Sequence, residues 1–155
     1  MRESLNRVVV EPLLKLLRQG LSPERMALSV AFAIALGVFP ILGTTTLLCA
    51  LVAVVFRLNV PAMQVVNHLV FPLQLALILP FIRLGELLYG AAPLTLSLIQ
   101  IERLLRSNYW HAISFLARSL LQATTAWFIV APFAIYALYL LLTPIFRGLG
   151  SLKSS

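Results

Sequence analysis

The chain has 155 residues, 61% of them hydrophobic and only 11% charged, where an ordinary soluble domain carries about a quarter charged residues. Its net charge of +7 comes from Lys and Arg dispersed at the edges of apolar runs, a pattern of membrane flanks that excludes a nucleic-acid partner. One cysteine, Cys49, two separated histidines, His68 and His111, and no Asp supply no disulfide, metal-ligand spacing, nucleophile elbow or phosphate loop, so neither a cofactor nor enzymatic chemistry is expected.

Residues 1–21 read as an amphipathic helix. Leu13, Leu14, Leu16 and Leu17 lie on one side and Lys15 and Arg18 on the other, with Pro12 suited to the first turn and Gly20 to the position after the end. Such a helix lies on a membrane surface or packs on the rest of the protein. No cleavable signal peptide is evident, because the first apolar run begins only at Met26.

Three uncharged runs follow: residues 26–56, 58–82 and 119–146. Each exceeds the ~20 residues that cross a bilayer as a helix. Ser22 as N-cap, Pro23 as first helical residue and Glu24 at the positive end of the dipole mark the clearest helix start. This helix is expected to run to about Leu36. Gly37, Pro40 and Gly43 stop it, and the hydroxyls of Thr44, Thr45 and Thr46 then cap a second helix running to about Arg57. Each half spans roughly 20 Å, short of a ~30 Å hydrocarbon core; one straight helix would span roughly 46 Å, too long without strong tilt. The run is therefore a long kinked span or a re-entrant hairpin.

Asn59 caps the next helix, which is expected to break at Pro72 and to end, after Pro80, by Gly85 or Gly90. Val38-Phe39-Pro40 recurs as Val70-Phe71-Pro72, and the same offset aligns Arg25 with Arg57. That fits a duplicated hairpin, and paired broken segments point to a transporter-like site, although so apolar a chain also repeats tripeptides by chance. Residues 91–118 read as an interfacial amphipathic helix, with Glu102, Arg103 and Arg106 beside Leu98, Ile101, Leu104 and Leu105, and Tyr109 and Trp110 at the boundary. Residues 119–147 form a plain transmembrane helix, and residues 148–155 a disordered tail. The expected fold is an all-α integral membrane protein. It has broken or re-entrant helix hairpins in residues 22–90, one plain transmembrane helix and amphipathic interfacial helices. Charge puts the N-terminus in the cytoplasm both for three plain spans and for two hairpins plus a span.

Non-helical backbone at membrane depth must face protein or a wet cavity. A helix starting at Thr44 aims free N–H groups and a positive dipole end at that cavity. Gly37, Pro40, Gly43, Thr44, Thr45 and Thr46 are therefore the candidate anion or lipid site, against the plainer reading that Pro40 and Pro72 only kink spanning helices. Asn67, His68 and Gln74 are a candidate intramembrane polar cluster. They also suit interhelical hydrogen bonds that repair carbonyls freed by Pro72, and His68 could titrate. Arg83 and Glu86, three apart, form a candidate interfacial ion pair.

The segments "SPERMALSVAFAIALGVFPILGTTTLL", "RLNVPAMQVVN" and "FPLQLALILPFIRLGELLYG" resemble the bacterial membrane-protein family catalogued as domain of unknown function 2062, over residues of about 21–90. The matching positions are Pro23-Glu24, Gly37, Pro40 with Gly43, Arg57-Leu58-Asn59 with Pro61, Asn67 with Pro72, and Leu84-Gly85. Many relatives have Asn directly before Pro, whereas residues 68–71 intervene here. The resemblance implies the bacterial cytoplasmic (inner) membrane, and in some relatives attachment to glycosyltransferases. It implies no activity. Two functions are expected from different classes. One is a binding or translocation module for an anionic lipid or small anion at the helix break. The alternative is a non-catalytic accessory or scaffold for a cell-envelope glycosyltransferase or similar membrane enzyme. The partners expected are membrane lipids, and a second copy of the chain or a membrane enzyme.

Overall fold

The computed structural model describes residues 22–91 and 109–151. The expectations for residues 1–21, for most of the 91–118 segment and for residues 152–155 lie outside these. The described residues form four helices: α1 (Pro23–Gly37), α2 (Thr45–Val55), α3 (Val60–Tyr89) and α4 (Tyr109–Ser151).

Helix α1 starts where the sequence says it should. Ser22 Oγ accepts from the Arg25 amide at 3.3 Å and Pro23 occupies the first turn, which satisfies one of the orphan amides of a helix start. Glu24 follows; the backbone hydrogen bond it accepts, and then the Arg147 guanidinium at 2.8 Å, hold its carboxyl below the usual range. The helix stops at Gly37 as expected. Val38 and Phe39 turn their amides back to the Ile34 and Leu36 carbonyls, Pro40 is fully buried, and Gly43 takes a φ of +85°, which costs a glycine little.

Helix α2 runs back alongside α1. It ends in a Schellman motif: the Leu58 amide bonds to the Ala53 carbonyl at 2.8 Å and the Arg57 amide to that of Val54 at 3.3 Å. Arg57 takes the left-handed position, φ 52°, where glycine is usual. Phe56 then stacks on Phe32 with ring centroids 5.3 Å apart, and the Asn59 amide bonds to Ser29 Oγ at 3.1 Å. These two contacts tie the far end of α2 to the middle of α1. The first apolar run is thus a helical hairpin, not a kinked rod.

Helix α3 is capped by Asn59 Oδ1, which accepts from the Ala62 amide at 2.8 Å. Its end at Gly90 repeats the Schellman arrangement, with the Ala91 amide on the Glu86 carbonyl and a left-handed φ of 59° at glycine. Between these ends the helix is continuous for 30 residues with Pro72 and Pro80 inside it, so the expected break at Pro72 is corrected. An internal proline removes one hydrogen bond and bends a helix, but in an apolar setting neighbouring groups restore what it frees. The two Val-Phe-Pro tripeptides accordingly differ in structure. Pro40 sits buried in a break, whereas Pro72 is exposed within a helix, and the described residues hold no second broken run. Among the described residues the path is one hairpin and two long helices.

Helix α4 is also continuous, for 43 residues, with Pro132 and Pro144 inside it. The 109–118 segment is its beginning rather than a separate interfacial helix, and residues 148–151 are helical rather than tail. Its C-terminal end returns to the start of α1 through Arg147 and Glu24. It crosses α3 at Gly85, where an added Cβ would lie 2.5 Å from the Gln122 carbonyl carbon and oxygen. Fully buried Met26, Ala27, Ala31, Ala33, Ala62, Met63, Ala123 and Ala126 make the core. Small residues of this kind let apolar helices approach closely.

Among the described residues two helical segments are long and apolar enough to cross a membrane, Val60–Tyr89 and Leu116–Gly148. Only 22% and 11% of their most apolar windows are buried inside the protein. Most of that apolar surface therefore faces outward, which a soluble core helix avoids.

Candidate functional site

The hairpin turn lies against the middle of α3. Gln74, halfway along that helix and buried, donates from Nε2 to the Phe39 carbonyl at 2.8 Å. Gln64, nearly three turns earlier, donates to the Thr46 carbonyl at 3.0 Å. From the other side, Trp127 of α4 donates its indole N–H to the Ala35 carbonyl at 2.9 Å and sets its ring edge-on to Phe39, centroids 4.9 Å apart.

These bonds explain how a break can lie among apolar helices. The Ala35 carbonyl loses its helical partner because the Phe39 amide turns to Leu36 instead, and Trp127 replaces it. Gln74 serves Phe39, and Thr44 Oγ1 donates to the Ile41 carbonyl at 2.9 Å. Three side chains from three places in the chain thus satisfy three carbonyls that would each cost several kcal/mol if left bare in an apolar medium. Gln74 does repair backbone, as one reading held, but that of the hairpin turn rather than that freed by Pro72. Trp127 was not among the expected site residues. A lone Trp amid an apolar run is a donor in search of an acceptor, and that was its only signal.

The expected capping by threonine is corrected. Thr44 spends its hydroxyl on Ile41, and α2 has no side-chain cap. The first-turn amides of α2 therefore keep their donor capacity and the positive dipole end. The start of α2 borders a cleft of about 380 Å³, lined on the α2 side by Gly43, Thr45 and Thr46 and on the α3 side by Asn67, His68, Phe71 and Gln74. Two groups singled out separately in the sequence meet here. Gly37 and Pro40 are not part of the lining; they shape the turn behind it.

Asn67 is 5% exposed. Its Nδ2 reaches Thr46 Oγ1 at a long 3.4 Å, while its Oδ1 has no hydrogen-bond partner and lies against Gly37, where an added Cβ would come within 3.3 Å of it. A buried amide oxygen without a partner costs about 1–3 kcal/mol, so Asn67 is held in the wall at an energetic disadvantage. His68 is exposed, and its Nδ1 lies 2.7 Å from the Gln64 carbonyl. A carbonyl only accepts, so His68 donates from Nδ1 in this contact. Among the described residues no charged side chain lines the cleft; the polarity they give it comes from amides, hydroxyls and one imidazole. Among the described residues no cluster of His, Cys, Asp and Glu suited to a metal occurs.

The Arg83–Glu86 pair forms at 3.1 Å, with Glu86 buried and Arg83 exposed. It lies more than two turns beyond Gln74 on α3 and does not join the cleft.

The hairpin, the Asn59 cap, Asn67 and the Gly85 crossing are the positions that carried the resemblance, and a family profile matches residues 6–153, nearly the whole chain. The chain belongs to the bacterial family described as "Uncharacterized protein conserved in bacteria (DUF2062)". The DUF2062 match extends well beyond the 21–90 segment and takes in α4, which supplies Trp127 and the Gln122 contact. Comparison with curated proteins and with solved structures gives no match.

Proposed function

We propose that this chain is a non-catalytic module of the bacterial inner membrane that holds a phosphate-type anion at the tip of a re-entrant hairpin. One observation carries the reading: the uncapped N-terminus of α2 and the polar side chains of α3 converge on one cleft at mid-length of a helix long enough to span. Backbone amides at a positive dipole end are an anion-accepting arrangement, and in a low-dielectric setting they act more strongly than in water. In this reading α3 and α4 cross the bilayer. The hairpin enters from the face bearing Ser22 and Ser151, and Arg25, Arg57 and Arg147 mark that face as cytoplasmic.

Depth is tested at Leu42, which is 51% exposed at the turn. In a Cys49→Ala background, Leu42→Cys is expected to resist membrane-impermeant thiol reagents added from either face. Rapid labelling from the face opposite Ser22 and Ser151 sinks the re-entrant arrangement.

Binding is tested with inorganic phosphate titrated calorimetrically into the detergent-solubilised protein. A Thr45→Val, Thr46→Val, Asn67→Leu triple variant is expected to lose affinity by about tenfold or more, since each hydrogen bond to a charged group is worth roughly 1.5–3 kcal/mol. Absence of phosphate binding by the wild-type chain removes the reading.

A second reading, a scaffold for a cell-envelope enzyme, draws on the outward apolar row Leu47, Leu51 and Val54 of α2, exposed by 73%, 59% and 70%. It gains if changes along that row abolish function in the cell while cleft variants are silent.

A further inference from the structure

The two ends of α2 are held very differently. Beyond Val55 the chain is fixed: Phe56 stacks on Phe32, the Asn59 amide bonds to Ser29 Oγ, and the Leu58 amide closes on the Ala53 carbonyl. Arg57 is kept there at a φ of 52°, a conformation that a non-glycine residue holds only where its surroundings impose it. The Thr44 end has no such anchor. It joins the buried Pro40 through Ile41, Leu42 and Gly43; Leu42 is exposed, and a Cβ added at Gly43 would meet nothing within 4 Å. No side chain caps the helix start, and Thr46 is exposed. We propose that α2 is a lid. It pivots at its Phe56–Asn59 end, so that its Thr44 end swings away from α3 and widens the cleft between them.

The contact that closes the lid is thin. Thr45, Cys49 and Ala53 are the buried residues of α2, one stripe of small side chains four apart, while Leu47, Leu51 and Val54 face outward. Among the described residues α3 reaches the free end with two side-chain bonds, both on Thr46. Gln64 Nε2 donates to its carbonyl at 3.0 Å and Asn67 Nδ2 to its hydroxyl at a long 3.4 Å. The closed position also leaves Gln64 Oε1 buried without a hydrogen-bond partner, a cost that opening relieves. The closing bond and the opposing orphan thus belong to one side chain, the balance that a two-state element requires. Gly43 is placed to take up the motion. Hinges are residues beside an element that absorb its φ/ψ change, and glycine passes between positive and negative φ at little cost. The lid goes beyond the anion reading and holds for any occupant of the cleft.

Distances between paired spin labels, measured by double electron–electron resonance on the full chain in detergent, test the lid. In a Cys49→Ala background, Leu141→Cys on α4, an exposed position, is the fixed site and is paired with Leu47→Cys or with Val54→Cys. Leu47 lies ten residues from Arg57 and Val54 three, so a pivot at that end moves Leu47 about three times as far. The Leu47 pair is expected to show two distances and the Val54 pair one. Gly43→Ala disfavours the closed φ of +85° and is expected to raise the longer-distance fraction of the Leu47 pair at least threefold. One distance in the Leu47 pair overturns the lid, and this holds even where Gly43→Ala fails to fold. Two distances equally far apart in both pairs mean that α2 shifts as a whole, and they overturn the pivot. An unchanged fraction in a folded Gly43→Ala protein overturns the hinge at Gly43. Phosphate plays no part in these measurements. A chain that binds none loses the anion reading and keeps the lid, and a static α2 that binds phosphate does the reverse.

Discussion

Replacing Gly85 by alanine is expected to separate α3 from α4. The new methyl would lie 2.5 Å from the carbonyl carbon and oxygen of Gln122 and 2.9 Å from the Ala123 amide nitrogen. All three are backbone atoms of a helix, so no side chain can swing away to make room. Overpacking of this kind costs about 1–3 kcal/mol, more than the up to ~1 kcal/mol that alanine gains over glycine in a helix. Gly85→Leu should be worse, because the two helices must then part by a full side chain. Gly148→Ala is the control. It is also helical, and an added methyl meets nothing within 4 Å, so it should be neutral or slightly stabilising. Unfolding of the detergent-solubilised protein by heat or by a denaturing detergent reads both. If the Gly85→Ala protein unfolds at the wild-type midpoint, the crossing is not where it is placed.

The second large effect is expected at Trp127. Truncation to alanine removes a buried indole from between Ala35 and Phe39, a change that costs about 3–5 kcal/mol in a packed core. Trp127→Phe separates packing from hydrogen bonding: it keeps most of the ring but leaves the Ala35 carbonyl bare, for about 1–3 kcal/mol. Gln74→Leu does the same to the Phe39 carbonyl. Both milder variants should also loosen the turn, which predicts faster thiol labelling of Leu42→Cys with the rest of the helices intact. Wild-type stability and unchanged labelling in Trp127→Phe and Gln74→Leu together would mean that the turn carbonyls find other partners and that these side chains do not hold it.

The sequence was most legible where the cause is local. Ser22-Pro23-Glu24 announced α1, Asn59 announced α3, and Gly37, Pro40 and Gly43 announced the break, because capping and turn geometry depend on residues a few positions apart. The apolar runs marked three places long enough to span, because hydrocarbon thickness converts directly into residue count, and the second and third of them lie in helices of spanning length. Arg83 and Glu86 were readable as a pair for the same reason, being one turn apart on a helix.

Pro72 shows where local reasoning stops. Its chemistry is that of Pro40, yet one lies in a helix and the other in a break. What differs is not the proline but its neighbourhood. The turn at Pro40 has Gly37 and Gly43 around it and receives donors from Trp127 and Gln74 to cover its carbonyls, whereas around Pro72 the helix simply continues. Whether a break is stable depends on who satisfies the freed backbone, and those partners lie far away in the chain. The choice between kink and hairpin was undecidable from length for the same reason. It turned on the Ser29–Asn59 bond and the Phe32–Phe56 stack, contacts between residues that no spacing rule relates.

The candidate cleft was legible only in halves. Composition alone marked Thr45 and Thr46 as possible donors and Asn67, His68 and Gln74 as unusual in an apolar run, since polar groups there are costly and must have a reason. That the two halves face each other, and that Gln74 serves the turn while Asn67 is left with an unpartnered oxygen, were decided by tertiary structure. The physical reason is range. Caps, turns and hydrophobic run lengths are fixed by bonds and contacts within one or two helical turns, whereas a cleft is the space left between helices once their crossings are set, here by glycine and alanine surfaces whose pairing the linear order of residues does not encode.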